Sequence, residues 1–215
     1  MSVLIDLKTG DPESAGARFQ LAAYVIAYQA GQGDRLTFDA ADHTYRVRAT
    51  GARVPSVTQI LKAVGVSVDF DDLREMGVRM DHDLERKRQI GTALHADAHA
   101  FDDQDLNWST VHPDVRPYLE AWVAFRQAYP ALRPATRERV VYSPAYQFAG
   151  TLDAIFLIDG ESQVEITERW AVQLTPELRI PYRVTPYNEH PWLDDDKFKA
   201  FVVTYYEGHA RRRAA

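Results

Sequence analysis

The 215-residue chain contains no cysteine. That excludes disulfides, thiolate zinc sites and cysteine-ligated iron–sulfur clusters, and it fits a reducing cytoplasm. Nor is there an apolar run of the roughly eighteen residues that a membrane-spanning helix needs. The opening MSVLIDLKTG lacks the basic start and long apolar stretch of a signal peptide, so a cytoplasmic location is expected, with no membrane partner. Positive charge is also in short supply: 25 Lys and Arg stand against 31 Asp and Glu, a net charge of −6. This counts against a protein that blankets DNA with cations, but not against an enzyme that grips phosphates locally through metal ions. The basic clusters Arg86-Lys87-Arg88 and Arg211-Arg212-Arg213 read as a solvated helix face and a tail. Long linkers, low-complexity tracts and internal repeats are missing. With 46% hydrophobic residues, residues 1–215 are expected to form a single α/β domain.

What is present begins with a short strand over residues 2–8, with Val3, Ile5 and Leu7 on one face and Leu4, Asp6 and Lys8 on the other. A turn at residues 9–12 leads to a helix over 13–30, stopped by Gly31. Residues 36–48 read as a hairpin, and Ser56 and Gln59 are spaced as the capping box of a short helix that Gly65 ends. Residues 69–83 are ambiguous. Helices are expected over 84–101 and 114–129, the second with Leu119, Trp122 and Val123 on its buried stripe. Strands are expected over 137–143, 147–158, 163–174 and 180–187. A last helix starts at Asp194-Asp195-Asp196 and buries Phe198, Phe201, Val202 and Tyr205.

Chemistry concentrates at a few positions. Asp6 and Lys8 lie two apart on a strand, so carboxylate and ammonium project side by side. The carboxylate can hold a divalent ion, and the lysine can orient water or stabilise charge on a phosphorane-like transition state. The bland reading is an edge strand with solvated charges. Asp153 interrupts the apolar strand AGTLDAIFLI, where a carboxylate is costly unless paired or bound to metal. Two strands with inward acids favour a magnesium-type oxygen site, and Gly150 permits close approach of a neighbour. Gln20 and Tyr24 share a helix face and read either as a self-satisfied core pair or as support for the site. His95 and His99 form H-x-x-x-H without the glutamate of a zinc hydrolase motif, Ala96 standing in its place; His99 reads as structural or solvated.

Taken together, IDLKTG, QLAAY, GTALH, AGTLD, HTYRV…VPSVTQIL and RERVVYSPAYQFAG resemble the RecB-like and phage-exonuclease branch of the PD-(D/E)XK nucleases. RWAVQLTPE…YRVTPY fits the later strands of phage members, so the resemblance covers most of the chain. It implies a restriction-endonuclease-like core, a mixed β-sheet flanked by helices. Asp6 and Asp153 would be metal-binding carboxylates, the Leu7 backbone carbonyl and His95 further ligands, and Lys8 the catalytic lysine. Glu138, Gln20 and Tyr24 match supporting or DNA-binding positions. The implied chemistry is Mg²⁺- or Mn²⁺-assisted water attack on a DNA phosphodiester, leaving a 5′-phosphate. A phage or recombination origin and a homo-oligomer fit the same analogy.

One departure is large. The family order is GTxD, then DxK, then QxxxY; here the strand–helix unit of residues 1–33 stands first, ahead of 36–160 and 164–215. The expected connectivity is therefore permuted, with joins near residues 31–34 and 160–163. Asp6 and Asp153 converge only if residues 2–8 dock beside 147–158. Three readings follow: an active nuclease, an inactive DNA- or partner-binding module on the same fold, and an unrelated zinc hydrolase using His95 and His99.

Overall fold

A computed structural model describes residues 2–8, 13–66, 81–158, 166–177 and 179–214. The turn at 9–12, most of the ambiguous segment 69–83 and the join at 160–163 lie outside the described residues. Among the described residues, eight strands and five α-helices follow in the order β1 Ser2–Lys8, α1 Ala15–Gln29, β2 Leu36–Asp39, β3 Thr44–Val47, β4 Arg53–Val54, α2 Val57–Ala63, α3 Asp81–Asp102, α4 Arg116–Ala128, β5 Leu132–Ser143, β6 Phe148–Ile158, β7 Ile166–Leu174, β8 Tyr182–Pro186 and α5 Pro191–Ala214.

The main sheet runs β5-β6-β1-β7-β8. β1 is antiparallel to β6 and parallel to β7, so the sheet is mixed. Its alternation feeds two cores. Leu4 packs with Leu21, Val25, Ile60, Phe148 and Phe198 beneath α1, α2 and α5. Val3, Ile5 and Leu7 pack with Leu94, Trp122, Phe125 and Phe156 beneath α3 and α4. The architecture is α/β, a mixed central sheet flanked by helices. β1 is thus the central strand, not the exposed edge of the bland reading. It lies between two apolar strands, and its residues Ser2–Leu7 are all buried.

Local signals hold the helix ends in place. Ser14 Oγ accepts the Ala17 N–H at the start of α1. Both bonds of the Ser56–Gln59 capping box form, at 3.1 and 2.9 Å, an arrangement worth about 1 kcal/mol. The Pro55 carbonyl accepts the Ala149 N–H, strapping this segment to β6. The small sheet β2-β3-β4 buries Leu36, Tyr45 and Val54 against Tyr142 and Ala149.

Several boundaries differ from expectation. β5 starts at Leu132 and runs through Pro134. As an outer strand of its sheet it tolerates a residue without an N–H, and a register shift between Pro134 and Thr136 absorbs the irregularity. α5 starts at Pro191, a residue suited to a first helical turn. Asp194 falls in its first turn, where it is 1% exposed and accepts Arg18 Nε at 2.7 Å. On α4 the buried stripe is Leu119, Trp122 and Phe125, with Val123 only half-buried. No described helix is long and apolar enough to cross a membrane.

Candidate metal centre and its cleft

β1 and β6 pair only from Ser2–Leu157 to Ile5–Ala154. Beyond Ile5 they part, while β1 stays paired to β7 through Lys8. The Leu7 N–H, on the side turned to β6, donates to Asp153 Oδ2 at 2.8 Å. A strand residue's N–H and C=O project to the same side, so the Leu7 carbonyl also turns toward the parting. The join sought between residues 2–8 and 147–158 is present, and Asp6 and Asp153 converge on it.

Asp6 is 1% exposed, with Oδ2 2.8 Å from Lys8 Nζ. Lys8 Nζ also donates to Gln20 Oε1 at 3.0 Å, and Gln20 Nε2 donates to Tyr24 Oη at 2.7 Å. Gln20 and Tyr24 therefore form a pair with each other and also brace the lysine. Burial, with the charges of Asp6 and Asp153, pushes the Tyr24 phenol well up, so it stays protonated. Gly150 seats that ring: a Cβ there would fall 2.6 Å from Tyr24 Cε1.

Electrostatically the carboxylates crowd one another. Burial, then the neighbouring Asp6 charge, raises the Asp153 carboxyl to about 8, against the pull of His95 and Lys8. A buried acid pushed this far accepts a cation readily. His95 Nδ1 lies 3.3 Å from Glu138 Oε1 and its Nε2 4.0 Å from Asp153 Oδ2. Burial opposes charge on His95, but the Glu138 hydrogen bond and the Asp153 and Glu138 carboxylates outweigh it and raise the imidazole pKa.

Glu138 owes its place to strand register. The pairs Arg137–Ala154 and Arg139–Leu152 set it across from Asp153. Its φ is +44°, a left-handed conformation that costs a non-glycine residue about 1 kcal/mol and recurs at functional sites. One ligating atom each from His95, Glu138 and Asp153 lies within 4.8 Å of the others. Oxygen and imidazole donors at this spacing suit a divalent ion of the magnesium–manganese type.

A cavity of 810 Å³ opens over this cluster. His95, His99, Glu138 and Asp153 line one side, and Phe38, His43 and Tyr45 of the small sheet line the other. Phe38 stacks on Tyr45 at 4.7 Å, and His43 stands edge-on to both. Tyr45 Oη and Thr151 Oγ1 are bonded at 2.9 Å, which ties this wall to β6.

With known proteins the chain shows no match, whether to a family model, a curated protein or a solved structure.

Asp6, Leu7, Lys8, Gln20, Tyr24, His95, Glu138 and Asp153 all come into one neighbourhood, although Asp6 sits behind the three converging ligands against Lys8. His99, expected to be structural or solvated, is half-buried. It lines the cleft, with Nε2 3.9 Å from Glu138 Oε1, and burial lowers its pKa. The four-residue spacing from His95 held that signal, since it puts both rings on one helix face. The aromatic wall was not foreseen, because its residues also satisfy the strand pattern of a plain hairpin.

Proposed function

We propose that the chain is a metal-dependent deoxyribonuclease of the PD-(D/E)XK kind, acting on DNA ends, with the strand–helix unit of residues 1–33 permuted to the front. The observation that carries this reading is the parting of β1 and β6, where Asp6, Lys8 and Asp153 meet with His95 and Glu138 across from them. Asp153, Asp6, His95 and the Leu7 carbonyl would hold Mg²⁺ or Mn²⁺, with Glu138 beside them. When bound, such an ion supplies Lewis acidity toward a phosphodiester and a water acidic enough to attack it.

The chain's own residues divide the remaining work. The charges of Asp6 and Asp153 outweigh the burial of Lys8 and hold its pKa above the ordinary value. Lys8 is therefore a standing cation, suited to stabilise charge on a phosphoryl oxygen rather than to remove a proton. Gln20 and Tyr24 fix its direction. Glu138 accepts from His95 Nδ1, which sets the tautomer and leaves Nε2 toward Asp153.

The test is cleavage of linear duplex, linear single-stranded and closed circular DNA with Mg²⁺, Mn²⁺ or EDTA, beside Asp153→Ala. Metal-dependent loss of linear DNA that Asp153→Ala lacks is expected, with circles spared. A well-folded protein that cuts none of them overturns the reading in favour of an inactive binding module. Stoichiometric zinc retained through purification would instead favour hydrolysis through His95 and His99.

A further inference from the structure

The outer face of the small sheet carries an arrangement that folding alone does not favour. β3 and β4 set Arg46 directly opposite Arg53. Like charges paired across strands destabilise a sheet, and the alternation places both on the face away from Tyr45 and Val54. Both side chains belong to exposed residues, and neither makes an ion pair among the described residues. In a chain of net charge −6, two opposed arginines left without a carboxylate mark a surface whose counter-charge comes from elsewhere.

Arg53 also lines a second cavity, of 430 Å³, with Gln59, Tyr205, Tyr206 and His209. None of its lining residues is acidic. The Tyr205 and His209 rings stack at 4.1 Å. His209 Nδ1–H donates to the Tyr205 carbonyl, which leaves Nε2 open. Tyr206 is 39% exposed, its hydroxyl anchored on the Gln147 carbonyl at 2.6 Å. Burial raises the Tyr205 phenol, against the pull of the Arg212 and Arg53 charges, and Arg212 Nε donates to the Gly208 carbonyl on the same helix at 3.4 Å.

One short segment contributes to both cavities. Ser56, Val57 and Thr58 line the metal-centre cleft, and Pro55 and Gln59 line the second cavity. A strand that left the cleft over this segment would come to Arg53, with Arg46 paired across from it, and to the aromatic rings of the second cavity. Cations that track phosphates beside rings that accept bases are the chemistry of single-strand binding.

We infer that Arg46, Arg53, Tyr206, His209 and Arg212 form a second subsite, which holds the backbone of a DNA strand several nucleotides from the scissile bond. The inference rests on the nuclease reading and extends it. It predicts that affinity depends on strand length, because only a long strand reaches both cavities.

The experiment is anisotropy of labelled single-stranded oligonucleotides, 4 and 20 nucleotides long, on the full chain in EDTA across a salt series. Arg46→Ala/Arg53→Ala is compared with wild type and with Arg46→Lys/Arg53→Lys. The alanine pair should bind the long strand roughly tenfold more weakly. Its log–log salt slope should fall by about 1.4, two single-strand phosphate contacts at about 0.7 each. Binding of the short strand should not change, and the lysine pair should keep most of the slope. Unchanged long-strand affinity and slope in the alanine pair overturn the subsite while leaving cleavage by wild type, and so the nuclease reading, intact. Loss of binding to anionic lipid vesicles but not to DNA assigns the patch to a membrane surface and also overturns it. A wild type that neither binds nor cuts DNA removes both readings together.

Discussion

Buried charge is treated in two ways in this molecule. Away from the cleft, three carboxylates that are buried or half-buried face arginines. Asp194 takes Arg18, Asp102 takes Arg126 at 2.9 Å, and Asp195 takes Arg169 through two bonds of 2.7 and 3.1 Å. Around the parted end of β1 and β6 the balance fails. Asp6, Glu138 and Asp153 gather with Lys8 and His95, and Asp153 answers by rising to about 8. Each pair of the first kind carries its own counter-charge; the second gathers three carboxylates around one lysine and one histidine, which on the proposed reading leaves a place for a divalent cation. Breaking one kind should damage the fold, and breaking the other should damage chemistry.

The largest effect is expected from Lys8→Ala. Cleavage of linear DNA per folded molecule should fall by about 10²- to 10³-fold, the order lost with a preorganised electrostatic stabiliser. Stability should fall as well, because the buried Asp6 carboxylate loses its partner; cleavage at the wild-type rate by the folded fraction would mean that Lys8 is a structural ion-pair member like Arg169, with the chemistry lying elsewhere. Next, Arg169→Ala should destabilise the protein by about 3 kcal/mol, because it strands a partly buried carboxylate. Its kcat on the folded fraction should be close to wild type, as denaturant melts beside active-fraction assays would show.

Stability against pH sharpens the contrast further. A group whose folded pKa lies above its unfolded value contributes stability that is full below the unfolded pKa and lost as pH rises through the folded one. For Asp153 the window runs from the model-peptide value of about 4 up to about 8. The EDTA-treated protein should therefore lose stability across that range, and Asp153→Asn should flatten the loss and melt higher than wild type at pH 9. Parallel melting curves for the two proteins would contradict this. The smallest effect is expected at Gln20→Ala, which frees Lys8 from one of its two partners. A drop in kcat of about five- to tenfold with little change in KM, the scale of about 1 kcal/mol for one hydrogen bond, is anticipated. Unchanged kcat would make the Gln20–Tyr24 bond a matter of core packing alone.

Period-two patterning was enough to read the strand, its two faces and the side-by-side Asp6 and Lys8, because side-chain direction follows from local geometry. It could not say which strands lie beside β1. That depends on contacts distant in sequence, and so the meeting of Asp6 with Asp153 stayed conditional until the fold was seen. Glu138 was picked out by resemblance, while its left-handed backbone and its position opposite Asp153 come from β5, whose start Pro134 disguised. His99 was set aside because one helical histidine carries no orientation until a partner such as Glu138 is placed. The capping box at Ser56 and Gln59 was legible in full, since everything it needs lies within four residues.

The bond from the Leu7 amide to the Asp153 carboxylate joins residues 146 positions apart, and this bears on how the chain comes to be folded. The central strand of the sheet precedes both of its partners in the chain. Loop closure of that length slows folding, and during synthesis the apolar segment Val3-Leu4-Ile5 must wait for β6 and β7 with both edges open. Such a strand is a site for premature association. Refolding yields should therefore fall steeply with protein concentration, even for variants whose native state is as stable as the parent.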